Sequence, residues 1–161
     1  MKKRMQFFTI FLFALMLLSA CNSNENNTSK DLFQYKDSYV GDNSAVGNIL
    51  YQLPGAEDLN NFELKTSDEP YGIIINYSGI KSANAYKEMV IHNATFLFTL
   101  IQNVDWITFN FDDRNITIEK EQLEGGYSKD LSNIQKEEEL IELLDELLKD
   151  ESGLQNLFNI K

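Results

Sequence analysis

Cys21 is the one cysteine in the chain, and its position indicates a specific reaction for its thiol. Upstream of it lie a basic head at residues 2–4, an apolar run at 7–18 and two small residues at 19–20. This order is typical of a bacterial lipoprotein signal, in which the cysteine receives a diacylglyceryl group and becomes residue one after cleavage. The pattern predicts a cleaved signal peptide at residues 1–20 and a lipid anchor at Cys21.

Two plainer interpretations of this N-terminus are an ordinary cleaved signal with a chance cysteine and an uncleaved membrane anchor. The apolar run is shorter than the roughly 20 residues that a membrane helix needs, which disfavours the uncleaved anchor. Two acyl chains hold a protein firmly on a bilayer, since each buried CH₂ contributes about 0.8 kcal/mol. We therefore expect the protein on the extracytoplasmic face of the cell membrane, with the lipid at Cys21 as its contact.

The charge of the chain narrows the range of partners. It has 14 Lys and Arg against 25 Asp and Glu, a formal net charge of −11 at pH 7. Loss of the three bases at residues 2–4 would leave 11 bases against 25 acids, a net charge of −14. A field of this sign repels nucleic acid, so nucleic-acid binding is excluded. Lipidation would also consume the only thiol, so no disulfide and no thiolate metal site is expected.

The remaining candidates for acid–base or metal chemistry are one histidine and several groups of acidic residues. A zinc site around His92 would need carboxylates as its other ligands, which is uncommon. The acids at 112–113, 137–139 and 150–151 lie in predicted turns and on solvated faces, without the differing environments that catalysis needs. The pairs at 42–43 and 112–113 lack the calcium-loop pattern, and turns are favoured there. We expect no catalytic residue, metal or cofactor, and predict that the protein is not an enzyme.

The chain after the signal divides into a tether and a domain. Residues 22–30 have no apolar side chain and predict a flexible coil, so the segment 21–30 is the lipidated cysteine with its tether. Such a coil spans about 15–18 Å on average, which would keep the domain near the bilayer. Residues 31–161 are long enough to bury a core, and we expect one globular α+β domain.

Apolar periodicity predicts two β-hairpins separated by a long helix. The long helix has an apolar stripe, and Thr95 and Thr99 lie on the opposite, polar face. The predicted strands are 62–66, 71–78, 106–111 and 115–119, and the predicted helices are 46–53, 82–104, 120–126, 134–149 and a short piece at 154–160. The expected fold is a mostly antiparallel sheet of about four strands packed against one long helix, with a C-terminal amphipathic helix beside it.

Three local expectations accompany this fold. Residues 31–40 are expected to be irregular or a short strand. The helix at 120–126 is expected to stop at Gly125-Gly126, because paired glycines disfavour helix continuation. Ile74 points away from the predicted core face of its strand, which suggests that the second face of the sheet is covered as well.

Three groups of residues resemble a known family. They are Lys36 with the run 39–43 (Tyr-Val-Gly-Asp-Asn), Thr66 with 69–72 (Glu-Pro-Tyr-Gly), and 93–98 (Asn-Ala-Thr-Phe-Leu-Phe) leading into 103–105 and Ile107. Together they resemble DUF4825, a domain-of-unknown-function family found on Gram-positive bacterial lipoproteins, over residues 32–148. Similar domains are fused to membrane metallopeptidase sensors of the antibiotic-resistance type, so the resemblance implies a sensory or accessory role. It implies no catalytic residues, and this chain lacks a His-Glu-x-x-His motif.

Three classes of function follow, in order of preference. The first is a non-catalytic interaction or sensory module for a membrane protein or cell-wall component, which predicts an apolar or aromatic surface patch. The alternative is a small-ligand binder with a concave pocket, for which the candidate residues are Tyr39, Asp42, Asn43, Tyr71 and Tyr77. These tyrosines also fit half-buried sheet positions without a ligand. A hydrolase, the least favoured, predicts titratable groups with shifted pKa values clustered in a cleft.

Overall fold

A computed structural model of the chain describes residues 31–79, 83–150, 153–154 and 157–158, with the backbone alone at 83–85. The predicted signal peptide, Cys21 and the tether lie outside the described residues, as does most of the predicted helix at 154–160. The described elements are α1 (Asn43–Leu50), β1 (Leu59–Lys65), β2 (Gly72–Tyr77), α2 (Ala83–Leu100), β3 (Trp106–Asn110), β4 (Asn115–Glu119), α3 (Lys120–Tyr127) and α4 (Glu137–Lys149).

The four strands form one sheet in the order β1-β2-β3-β4. The two predicted hairpins are confirmed, because β1 pairs with β2 and β3 pairs with β4 in antiparallel fashion. The central pair, β2 and β3, is parallel, so the prediction of a mostly antiparallel sheet was wrong and the sheet is mixed. The physical reason is the crossover: α2 spans about 27 Å and returns the chain to the end of the sheet where β2 began.

The coarser prediction of an α+β fold with four strands is confirmed. Within the described residues, four α-helices rather than one long helix accompany the sheet. The hydrophobic core includes buried side chains from all four helices and from β2, β3 and β4, and partly buried side chains of β1 pack against it. The helices therefore share one apolar interior with the sheet.

Helix α2 is buried on nearly every side. Most side chains from 86 to 101 are buried, including Phe96, which lies off the predicted apolar stripe. Thr95 and Thr99 are 0% and 2% exposed, so their placement on a solvated face was wrong. Their hydroxyls donate to the carbonyls of Ile91 and Thr95, both at 2.7 Å, which satisfies them inside the core.

The C-terminal end of α2 is set by the first segment of the domain. α2 ends at Leu100 rather than at 104, because Ser38 N–H donates to Leu100 O at 3.1 Å and Ser38 forms a parallel bridge with Ile101. Ser38 O in turn accepts from Gln102 N–H at 3.0 Å. The segment that was expected to be irregular or a strand forms a 3₁₀ helix at Leu32–Tyr35 before this bridge.

The two faces of the sheet differ in burial. Ile73, Ile75, Ile107 and Phe109 point inward and are fully buried. The opposite face, here called the outer face, has half-buried or exposed side chains, apart from Gly72 beneath Trp106. Its other members are Asn61, Glu63, Lys65, Ile74, Asn76, Thr108, Asn110, Asn115, Thr117 and Glu119. Contrary to the expectation from Ile74, the described residues do not bury this face as they bury the inner one.

The last two helices complete the core. α3 continues through Gly125-Gly126, where a stop was expected, and ends at Ser128 in a left-handed conformation with φ 51°. Gly126 lies against α4, since a Cβ there would be in van der Waals contact with Leu147 at 3.8 Å. The amphipathic character predicted for α4 is confirmed by its buried residues Leu140, Leu144 and Leu147.

Candidate functional site

An open cavity of about 400 Å³ lies between the turn that follows α1, helix α2 and the end of α4. Apolar atoms form most of its wall. The chain's one histidine, His92, lines it together with Met89 from α2 and Leu148 from α4. We call it the His92 cavity. A largely apolar concavity with a few polar groups is the usual form of a small-molecule site.

The turn on one side of the cavity depends on Gly55. Its φ of +83° lies in the left-handed region that glycine adopts without strain, and a Cβ there would overlap Met89 Sδ. The preceding carbonyl, Pro54 O, accepts a hydrogen bond of 2.9 Å from Asn93 Nδ2. Asn93 Nδ2 also donates to Tyr77 OH at 3.2 Å. The turn is therefore held against α2 by a buried amide rather than by loop contacts alone.

His92 is the titratable group with the most distinctive environment in this cavity. Its ring stacks on Phe96 with centroids 4.8 Å apart and an interplanar angle of 14°. Burial lowers the pKa of His92, opposed by the side chain of Asn93, so the neutral imidazole is favoured at neutral pH. His92 Nδ1 and Asn93 Oδ1 are both buried and have no hydrogen-bond partner in the described structure. Buried polar atoms in folded proteins normally have a hydrogen-bond partner that replaces the water they have lost.

The charged residues that line the cavity are all acidic. Glu57 and Asp58 line it from the turn, Glu88 lines it from α2, and no lysine or arginine is among its lining residues. In the described residues, no group of three or more His, Cys, Asp and Glu side chains is close enough to hold a metal ion. The carboxylates are therefore distributed around the cavity rather than converging on one point.

The five residues predicted for ligand binding are not brought together. Tyr39 is 57% exposed, and Asp42 caps α1 by accepting from Ser44 N–H at 3.1 Å and Ala45 N–H at 3.0 Å. Asn43 is the first residue of α1. Tyr71 precedes β2 and Tyr77 ends it, so they are about 20 Å apart at about 3.3 Å per strand residue.

Tyr77 has a structural environment of its own. It is 3% exposed, its ring stacks on Phe111 with centroids 5.7 Å apart, and its hydroxyl accepts from Asn93. Burial raises the pKa of Tyr77 to about 12. None of the five predicted residues is among the lining residues of the His92 cavity. Tyr77 lies behind the cavity wall, where its ring packs beside Gly55 and its hydroxyl accepts from the Asn93 amide that also holds Pro54.

Sequence reasoning missed most of the cavity wall. It ended the first helix at residue 53, considered His92 only for a disfavoured zinc site, and did not single out Glu57, Asp58 or Glu88. One signal was present: a Pro-Gly turn followed immediately by two acids, in a chain with one histidine. The packing of that turn against α2 is a tertiary contact. The sequence therefore could not show that these residues lie around one cavity.

Two further cavities lie elsewhere on the described surface. One, of about 490 Å³, is lined by Phe33 and Ile141 together with charged side chains of α4 such as Glu138. The other, also of about 490 Å³, lies beside Asp105 and Lys120 and is lined mainly by acidic residues. Neither combines an apolar wall with an unpartnered buried polar atom, so the His92 cavity is the better candidate.

Comparison with known families gives one match. A model of the family "Domain of unknown function (DUF4825)" matches residues 32–122, which is more than half of the 161-residue chain. The chain belongs to this family. The match ends at Gln122, so α4, which the resemblance was expected to include, lies beyond it. No curated protein and no solved structure matches the chain.

Within this DUF4825 protein, the residues that carry the family resemblance are used to join segments. Val40 N–H donates to Asn103 Oδ1 at 2.8 Å. Tyr71 N–H donates to Asp105 Oδ2 at 2.7 Å, and Asp105 N–H donates to Tyr71 O at 2.9 Å. We call this set the motif seam. Its members are Lys36, Val40, Tyr71, Gly72, Asn103 and Asp105.

Lys36, a member of the motif seam, joins three segments of the chain through the hydrogen bonds of its ammonium group. Its ammonium donates to Thr99 O at 2.7 Å and to Ser132 O at 2.9 Å, which ties the first segment to the end of α2. A cation at the C-terminal end of a helix is favoured by the helix dipole. Burial lowers the pKa of Lys36.

None of the described helices is long and apolar enough to cross a membrane.

Proposed function

We propose that this protein is a bacterial lipoprotein, anchored through Cys21 on the extracytoplasmic face of the cell membrane, whose domain is a non-catalytic sensory module. The observation that supports the sensory part is the His92 cavity, with its largely apolar wall and a few polar residues. The N-terminal pattern carries the anchor. In this proposal a small ligand occupies the cavity and the tethered domain reports its presence near the membrane.

The distribution of titratable groups supports binding over hydrolysis. A hydrolase predicts several groups with shifted pKa values in one cleft. The pKa of Lys36 is lowered, and those of Tyr77, Tyr127 and Glu137 are raised, each mainly by burial. None of these four lines the His92 cavity, whose lining residue His92 has a pKa lowered by burial.

A thermal-shift screen tests the binding function. The full chain, purified from membranes of a Gram-positive host, is screened with a collection of small soluble compounds. Leu148→Trp fills the cavity from α4, and Leu143→Trp is the matched control on the same helix, since Leu143 is half-buried but does not line the cavity. We expect compounds that raise the melting temperature of the wild type and the Leu143 variant but not of the Leu148 variant. Equal shifts in all three would contradict binding in this cavity.

The anchor has its own test. We expect the wild type to incorporate an alkyne-labelled fatty acid and to sediment with membranes, and we expect Cys21→Ser to lose the fatty-acid label. Because no other cysteine is present, residual label in the variant would exclude the proposed thioether site.

Docking to an integral membrane protein is the second candidate function, and the accessible outer face of the sheet favours it. A tether of residues 22–30 would hold the start of the domain at Asp31 within about 15–18 Å of the anchor on average, which keeps the domain near the exposed parts of membrane proteins. The test is a photocrosslinking residue at Thr108 on the outer face, compared with one at exposed Glu142 on α4. A membrane-protein crosslink from position 108 that is lost with Cys21→Ser supports docking. Its absence, or equal crosslinking from position 142, removes this candidate.

A further inference from the structure

We infer that the His92 cavity takes a small organic cation, an amine or quaternary ammonium group carried on an apolar body. This inference rests on the proposed function and names the ligand class for the same site. It follows from the placement of three acidic residues and an apolar wall around one cavity.

The acidic residues that line the cavity favour a positively charged ligand. Glu57, Asp58 and Glu88 line the cavity, and none of them belongs to the ion pairs found in the described residues. The nearest base in sequence is Lys87, whose ammonium lies 5.4 Å from the centroid of the Phe158 ring and does not line the cavity. Acidic walls of low dielectric focus the field and concentrate cations while they repel anions.

The apolar wall selects the kind of cation. Met89 and Leu148 offer apolar surface that an inorganic ion cannot use, whereas each buried CH₂ of a ligand improves affinity by about fourfold. In the described residues the carboxylates do not converge into a cluster that could hold a metal ion. An organic cation meets both features, because its charge faces the acids while its body covers the apolar wall.

The chain offers a site-specific reporter for this ligand. Of its four methionines, Met1, Met5 and Met16 lie in the predicted signal peptide, so after cleavage Met89 is the remaining one. His92 is the one histidine of the chain. Methyl-labelled methionine therefore gives a single NMR signal from the cavity wall, and the imidazole signals give a second reading a turn away on α2.

The test compares 4-phenylbutylamine with 4-phenylbutyrate, which have the same apolar body and opposite charge. The lipidated full chain is titrated in nanodiscs, with empty nanodiscs as the correction for partition into lipid. We expect the amine to shift the Met89 methyl and His92 signals in a saturable manner, and the carboxylate to bind at least tenfold more weakly.

Variants of the lining acids test the role of their charge. Glu88→Gln and Glu57→Gln should each lower the affinity for the amine about three- to tenfold. Glu142→Gln, an equal charge change outside the cavity, should leave the affinity within about twofold.

The outcomes separate the inference from the proposed function. If the amine and the carboxylate bind equally, the site exists but the cation inference is overturned. If Glu142→Gln weakens the amine as much as Glu88→Gln does, the effect is the overall charge and the inference is again overturned. If neither compound shifts the Met89 signal while the chain stays folded, the cavity is not a site for ligands of this size, and both the inference and the ligand-binding function are rejected.

Discussion

The motif seam and the His92 cavity border the same hydrophobic core, but the polar groups of the seam are paired and two buried polar atoms at the cavity are not. In the seam, Lys36, Asn103 and Asp105 are paired with backbone atoms of another segment, at 2.7–2.9 Å. At the cavity, Nδ1 of the lining residue His92 is buried without a partner, and so is Oδ1 of the next residue, Asn93. The seam therefore contributes stability, whereas the cavity keeps unsatisfied polar atoms that a folded protein normally avoids.

This difference separates the residues that carry the family resemblance from those that line the cavity. The DUF4825 match covers residues 32–122 and includes the whole seam. Seven of the eight residues that line the cavity also lie inside the match, and Leu148 on α4 lies beyond it. None of the eight belongs to the three groups of residues that resemble the family, which in the seam join separate segments of the chain.

The largest expected effect is at Gly72 in the seam. A Cβ at Gly72 would overlap the ring of Trp106, which is fixed by its indole N–H donating to Pro70 O at 3.0 Å. We expect Gly72→Ala to lower the free energy of unfolding by about 2–4 kcal/mol, because the ring must move. Denaturant unfolding measures this. Gly41→Ala, where a Cβ meets nothing within 4 Å, is the control and should change stability by less than about 0.5 kcal/mol.

Alkaline pH tests two tyrosines whose hydroxyls form hydrogen bonds with α2, the buried Tyr77 and the partly buried Tyr127. Burial raises the pKa of Tyr77 and of Tyr127 from 10.0 to about 12. Their folded-state pKa exceeds the unfolded value, so the stability they contribute is complete below pH 10 and is lost as the pH rises towards 12. The loss would be about 2–3 kcal/mol for each tyrosine.

Unfolding at pH 9 and pH 11 measures this effect in Tyr77→Phe and Tyr127→Phe. We expect each variant to lose less stability between the two pH values than the wild type does. Tyr51→Phe is the control, because Tyr51 is 66% exposed. A wild-type pH dependence that survives in both variants would show that the tyrosines are not its cause.

Asn103 tests whether the seam is held by single hydrogen bonds. Asn103→Ala would leave the N–H of Val40, a residue only 1% exposed, without its acceptor. We expect a loss of about 1–2 kcal/mol in the free energy of unfolding. Asn103→Asp keeps an acceptor oxygen and should cost clearly less. If both variants cost the same, the amide is not acting as the acceptor that joins these segments.

The smallest expected effect, with the opposite sign, is at His92. Phe at this position keeps a ring that can stack on Phe96 and removes the unpartnered Nδ1. We expect His92→Phe to leave stability unchanged or raise it by about 0–1 kcal/mol, while ligand affinity falls. Thermal unfolding without ligand measures it. If His92→Phe lowers stability as much as Asn103→Ala does, His92 stabilises the fold like a residue of the motif seam, and the proposed difference between cavity and seam is wrong.

The fold was predictable where the pattern is local. The strand Asn115–Glu119 was predicted with its observed bounds, and both hairpins follow from short polar turns between alternating runs. The parallel pairing of β2 with β3 was not predictable, because no local pattern records how one hairpin lies beside another. The burial of Thr95 and Thr99 was missed for a similar reason, since helical periodicity shows one apolar stripe but not a helix enclosed on all sides.

The candidate site was less predictable than the fold. The sequence pointed to tyrosines, whose side chains suit a ligand pocket and a half-buried sheet equally well. Tyr77 is used by the sheet and core, and Tyr39 is 57% exposed. The acids of the cavity gave no signal, because isolated carboxylates in an acidic chain are ordinary. Only their approach to His92 and Met89 distinguishes them.

By itself the sequence determined the local elements, the acidic charge and the family, since these depend on residue type and short-range spacing. It also predicts the anchor at Cys21 by the same kind of pattern. The tertiary structure decided the mixed sheet, the enclosure of α2 and the His92 cavity. Each of these depends on packing between residues far apart in the chain, such as Gly55 against Met89, and that packing is set by the shape of the whole core rather than by any one segment.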